Sequence, residues 1–262
     1  MFQINLHGGS DRGLVRENNE DSIAFTTFDE DAIALALVAD GVGGHAGGEI
    51  ASRLAVDSIM DFMAKAVLQA SSGGGYSEQW LKQILSQALN SANKTIFEQQ
   101  TEQPAYSNMA TTIVAVLIKD ETLALSYLGD SRCYCWRDHT LQQLTHDHTV
   151  AMQMFDAGAL SDEEYQQSPY HHIINHGLGL SKKETAEETL FDIQDNDRYL
   201  LCTHGLTNSL SDIQIAAILD ASDDISDCVD ELITCANDAG GRDNISVVML
   251  ECKALGETDT SD

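Results

Sequence analysis

The sequence predicts a single α+β domain with antiparallel strands at its centre and long helices over a face of the sheet. Between Thr111 and Arg137 three strand-like runs, TTIVAVLI, LALSYLG and CYCWR, are joined only by KDE and GDSR. Links that short require antiparallel neighbours, because a parallel return takes a dozen residues or more. Two helical stripes upstream are each long enough to cover a sheet. No linker divides the 262 residues, so one core is expected.

In chain order, Phe2 to Leu6 alternates apolar and polar, as a half-buried strand does, and Gly8-Gly9-Ser10 should break it. The polar stretch Ser10 to Ser22 follows. Ile23 to Phe28 and Ile33 to Ala39 read as strands around an acidic turn, Asp29 to Asp31, the second apolar on both faces and so internal. From Glu49 to Gln69 apolar residues fall at Ile50, Leu54, Ile59, Phe62, Met63, Ala66 and Val67, a helical stripe. Ser71 to Gly75 is a flexible loop, after which Ser77 caps a second helix running past Ile96. Helices joined so closely should pack antiparallel. From His148 to Gly179 strand periodicity disappears, which predicts a short helix and a flap over about 148–176. Leu190 to Thr203 gives two strands around Asp195-Asn196-Asp197. Helical patterns at Asp212 to Leu219 and Cys228 to Asn237 precede a last strand, Ile245 to Cys252. Residues 1–252 form the expected domain, and 253–262 an acidic, disordered tail.

The net charge of −28 argues against nucleic acid and anionic membrane surfaces as partners. It fits either a strongly solvated surface or a basic partner. The six cysteines show no paired C-x-x-C spacing and lie mostly in apolar runs, as reduced thiols would. The first residues lack the pattern of a secretory signal, and the longest apolar runs fall far short of the ~20 residues of a membrane span. A cytoplasmic protein is expected.

Chemistry concentrates around LVADGVGGHAGGEIA, Leu37 to Ala51, where an apolar run delivers Asp40 into a glycine-rich loop. Glu20-Asp21 upstream and Asp243-Asn244 downstream stand beside other β-like runs, and Asp130 ends another. Carboxylates meeting from distant strand ends suggest a hard divalent cation site. Arg16 lies four residues before Glu20. Its fork could grip a phosphate, or it could form an ordinary surface ion pair.

In this order the segments RENNEDS (Arg16 to Ser22), VADGVGGHAGGEIAS (Val38 to Ser52), MATT (Met109 to Thr112), YLGDSRCY (Tyr127 to Tyr134), LTHDHT (Leu144 to Thr149), HGLG (His176 to Gly179), LLCTHGLTNSLSD (Leu200 to Asp212) and GGRDNISVV (Gly240 to Val248) resemble the bacterial type 2C (PPM) metal-dependent serine/threonine protein phosphatases. The resemblance implies a four-layer sandwich, with two central, mainly antiparallel β-sheets flanked by antiparallel helix pairs. It also implies metal-dependent hydrolysis of phosphoserine and phosphothreonine in proteins by water activated between two Mn2+ or Mg2+ ions, with a third ion in some members. By the same resemblance Asp40 bridges two metals, the Gly41 carbonyl assists, Glu20 and Asp21 hold metal-bound waters, and Asp243 ligates the other metal. Arg16 would bind substrate phosphate and Asp130 a third, weaker ion. Partners would be phosphorylated proteins and a eukaryotic-like serine/threonine kinase that makes them, with the chain itself a monomer.

Two departures stand out. His204 occupies a position where the family motif carries an aspartate metal ligand. An imidazole suits Mn2+ better than Mg2+, so either the site is retuned towards Mn2+ or the chain is a silent pseudophosphatase that binds phosphoproteins as a regulatory module. In the flap, where bacterial relatives tend to carry arginines, stand His171, His172 and His176, facing either the site or solvent. A zinc site from His146, His148, His171 and His172 is a weaker alternative. A P-loop ATPase is weaker too, because the glycine-rich loop lacks the GK[ST] ending.

Overall fold

The structure, a computed structural model, describes residues 2–28, 32–42, 47–73 and 76–255. Two antiparallel sheets lie face to face. One contains β1 (Phe2–Asp11), β11 (Ile245–Ala254), β10 (Arg198–Cys202), β7 (Arg132–Arg137) and β8 (Thr140–Gln143), in that order. The other runs β2 (Asp21–Phe28), β3 (Ile33–Val42), β5 (Ile113–Lys119), β6 (Thr122–Leu128) and β9 (Glu187–Asp192), with β4 (Ala110–Thr111) paired to the end of β3. Helices α1 (Gly47–Gly73) and α2 (Glu78–Glu102) cover the second sheet. The first is covered by α6 (Asp212–Ala221) and α7 (Ile225–Asp238). This is the expected four-layer sandwich.

Alternation along the strands builds three apolar cores. On β3, Ile33, Leu35, Leu37 and Ala39 face α1 and α2, while Ala34, Ala36 and Val38 face the opposite sheet. On β11, Val248, Leu250 and Cys252 fill the space between sheets, and Ile245, Val247 and Met249 lie under α6 and α7. A strand with period two and both faces covered reads as a continuous apolar run, which is why the central strands were legible. Ser77 caps α2 as expected, its Oγ accepting the Trp80 N–H at 3.1 Å.

Several expectations need correction. Gly8 and Gly9 do not end β1, which continues to Asp11. A Cβ there would press on Phe25 and Ile233 respectively, so the glycines admit close packing within the strand. Helix α1 extends to Gly73, and β11 runs two residues past Cys252. The link GDSR does not join neighbours: β5 and β6 form the expected hairpin, but β7 crosses to the other sheet, pairing with β10 and β8. Asp195 to Asp197 likewise leads from β9 in one sheet to β10 in the other. A short link excludes a parallel return but leaves a change of sheet open. The flap holds two short helices, α3 (Val150–Asp156) and α4 (Asp162–Gln166). Directly after β10, His204 opens a four-residue helix, α5 (His204–Thr207). The turn at 29–31, residues 43–46 of the glycine-rich loop and the tail from 256 lie outside the described residues.

Candidate active site

At one end of the sandwich the β6–β7 crossover meets the end of β3, the loop after β1, the start of β11 and the segment after β10. They enclose a pocket of about 390 Å3 lined by Arg16, Glu20, Asp40, Gly41, Val42, Asp130, His172, Ile174, His204, Asp243 and Asn244. Seven of the eight site residues expected from sequence line it. The eighth, Asp21, lies directly behind: it faces Asp40 across the β2–β3 ladder and is buried. A larger cavity of about 510 Å3, around Cys135, Arg137 and Phe191, contains no such convergence of acids.

Hydroxyls and amides fix these carboxylates in place. Asp21 Oδ2 accepts the hydroxyls of Thr203 at 2.8 Å and Ser246 at 2.7 Å. Its Oδ1 is buried without a hydrogen-bond partner. The backbone of Asp40 is held on both sides, with its N–H donating to Thr112 Oγ1 and its carbonyl accepting from the Thr111 hydroxyl, both at 2.9 Å. Thr112 Oγ1 in turn lies 2.7 Å from Ser131 Oγ, which ties β3 to the crossover carrying Asp130. Gly41 is required by close approach: a Cβ there would collide with the carbonyl oxygens of Gly48 and Glu20.

The residues that carry this positioning have no signal of their own in the sequence. Asn244 accepts the Glu20 N–H at 2.8 Å and donates to the carbonyls of Arg12 and Asn18, both at 2.9 Å, stapling the Arg16–Glu20 loop to β11. Arg132 and the buried Asp147 form a two-pronged ion pair at the root of the flap. All lie within the quoted motifs, but only their partners reveal their roles.

The electrostatics are those of a site short of cations. Burial pushes the carboxyls of Asp40, Asp130 and Glu20 above the ordinary range, and Asp21 up to about 7. Neighbouring Asp21, Asp130 and Asp243 raise Asp40 further, while the His204 backbone N–H lowers it. Asp130 is eased by His204, whose Nδ1 stands 3.6 Å from Asp130 Oδ2. Arg16 donates to Asp243 Oδ2 at 2.9 Å with its side chain half exposed.

Oxygen donors with one imidazole suit Mn2+ and similar ions, and the unpartnered Asp21 Oδ1 is the kind of atom that a metal or its water satisfies. Among the described residues no three His, Cys, Asp or Glu side chains already stand close enough to hold a metal ion. The acids line the pocket, and a shell would form by side-chain adjustment. The zinc alternative fails: His146 pairs with Asp156, His148 with Glu187 and His171 with the Tyr165 carbonyl, while His172 lines the pocket.

Comparison with known proteins agrees with this geometry. Residues 14–248 match the family described as protein phosphatase 2C. The serine/threonine phosphatase stp of Listeria monocytogenes serotype 4b (strain F2365) is 32% identical over 244 residues, covering 92% of this chain and 93% of that protein. PstP of Mycobacterium tuberculosis is 36% identical over 242 residues, covering 92% of this chain and 44% of that longer protein. The crystal structure of M. tuberculosis PstP/Ppp superposes with a TM-score of 0.83 at 33% identity, covering 97% of this chain and 100% of that one. A PstP catalytic domain in complex with two manganese ions gives a TM-score of 0.80 at 32% identity, covering 97% and 100%.

Proposed function

The chain belongs to the protein phosphatase 2C family, and from that premise we propose that it hydrolyses phosphoserine and phosphothreonine in proteins with Mn2+ or Mg2+ as cofactor. The observation that carries this reading is the gathering of Glu20, Asp40, Asp130 and Asp243 around one pocket beside Arg16, with burial holding the carboxyls of Glu20, Asp40 and Asp130 above the ordinary range. Asp40 is raised further by the charges of Asp21, Asp130 and Asp243, and such like charges call for cations.

Asp40 and Asp243 would hold the two principal ions, with the Gly41 carbonyl, Glu20 and Asp21 completing their surroundings and Asp130 serving a third. Ions held there would supply a nucleophilic water near neutral pH and countercharge for the phosphate oxygens. Arg16 does what the chain itself can do for the phosphate. One guanidinium nitrogen is committed to Asp243, and the remaining N–H groups can meet a pair of equatorial oxygens in a geometry that lysine cannot copy. Val42, the residue after Asp40-Gly41, offers no proton, and the leaving alkoxide would take one from water held at the metals. The substrates would be products of a serine/threonine kinase. Relatives named as serine/threonine phosphatases favour the active reading over a silent one.

The test is hydrolysis of para-nitrophenyl phosphate and a phosphothreonine peptide by metal-stripped protein titrated with Mn2+ and with Mg2+. Turnover of both substrates that requires added metal and disappears in Asp40→Asn is the expected result. Turnover indifferent to metal, or none under any metal, would sink the reading.

A further inference from the structure

The three flap histidines differ in their surroundings. His171 donates from Nε2 to the Tyr165 carbonyl at 2.5 Å, with its ring edge-on to Tyr165. His176 Nδ1 lies 3.1 Å from Glu184 Oε2, and its ring meets His148 edge-on at 5.2 Å. Both are tied within the flap and its root. His172 is exposed and, among the described residues, has no hydrogen-bond or ion-pair partner, yet it lines the catalytic pocket. The other side-chain donors there face neighbours: Arg16 meets Asp243, Asn244 meets the Arg12 and Asn18 carbonyls, and His204 stands beside Asp130.

Backbone bonds fix where His172 stands. Ile174 bridges Thr149, the Val150 N–H donates to Ile173 O at 2.8 Å, and the Asn175 N–H to His148 O at 3.0 Å. The flap is thus clasped at its base, directly beside the segment carrying His172. Of the pocket-lining residues only His172 and Ile174 come from the flap, giving one N–H donor beside one apolar side chain. With phosphate bound by Arg16 and by the metal ions that the acids would hold, His172 and Ile174 would face what surrounds the phosphorylated residue.

We propose that His172 is a substrate-specificity residue whose imidazole N–H donates to an acceptor oxygen of the polypeptide flanking the phosphorylated serine or threonine, with Ile174 contacting that polypeptide's apolar atoms. This rests on the phosphatase reading. A small ester such as para-nitrophenyl phosphate has no flanking chain, so it separates the two.

The experiment compares Mn2+-loaded wild type, His172→Ala and His172→Gln on para-nitrophenyl phosphate and a phosphothreonine peptide. Loss of one hydrogen bond should lower the ratio of peptide to small-ester kcat/KM by about three- to tenfold in His172→Ala. The loss should fall mainly in the peptide KM, and His172→Gln, which keeps an N–H donor, should recover part of it. Melting temperatures of the three proteins should coincide, since His172 holds nothing in place. An unchanged ratio overturns the proposal. Wild type that hydrolyses neither ester overturns the phosphatase reading, and this inference with it.

Discussion

At the scale of the residue, His204 is the point at which this chain departs most from the pattern around it. Its ring stands near Asp130, and its backbone N–H faces the Asp40 carboxyl. An imidazole adds a nitrogen donor and brings no fixed negative charge, a combination tolerated by Mn2+ and poorly matched to Mg2+. Mn2+ should therefore bind more tightly than Mg2+, and His204→Asp should narrow the difference by roughly tenfold or more, as changes around metal ligands commonly do. Calorimetric titration of the metal-free protein with each ion reads this without reference to turnover. Equal preference in both proteins would place His204 outside the metal's reach. Arg16 teaches a different lesson. It lines the pocket, and it also forms an ion pair with Asp243, as its sequence context allowed.

At the scale of the element, the decisive feature is how tightly the end of β3 packs against its surroundings. Gly41 accepts no side chain, because the Gly48 and Glu20 carbonyl oxygens occupy the space. Its N–H donates to Glu20 O at 3.1 Å, so the loop bearing Glu20 is built directly onto the strand bearing Asp40. Gly41→Ala is expected to force the two apart, costing about 1–3 kcal/mol of stability, as overpacking does, and weakening Mn2+ binding with it. Urea denaturation and metal titration of the variant check both effects. Full stability with full metal affinity would show that the loop can yield.

At the scale of the whole molecule, the two sheets bring together, in and directly behind one pocket, acids that are distant in sequence. Asp21, Asp40 and Asp130 are held above the ordinary range by burial, Asp21 reaching about 7. When the folded pKa is raised, the protonated form is favoured. The stability it contributes is complete below the unfolded value of 3.8 and is lost as pH rises through the folded values, through about 7 for Asp21. Divalent ions supply the missing countercharge. The gap in melting temperature between Mn2+-loaded and metal-free protein should therefore widen as pH goes from about 5 to about 8. A gap independent of pH would mean that other groups bind the ions. The described residues include no helix long and apolar enough to cross a membrane.

Much of this was legible from the chain alone. Period-two runs such as Ile33 to Ala39 announced strands buried on both faces, the stripes from Glu49 and Ser77 announced the long helices, and Asp40, Glu20, Asp130 and Asp243 stood out as acids at the ends of such runs. These signals are local: side-chain alternation, capping and solubility act within a few residues. Which sheet β7 and β10 join was decided only in three dimensions, because links as short as residues 129–131 and 193–197 limit reach without fixing direction. So were the staple made by Asn244, the orphaned oxygen of Asp21, and the choice of His172 among three flap histidines. Each depends on what lies across the pocket, and a carboxylate's desolvation or an imidazole's missing partner is a property of neighbours that only the packed sheets bring together.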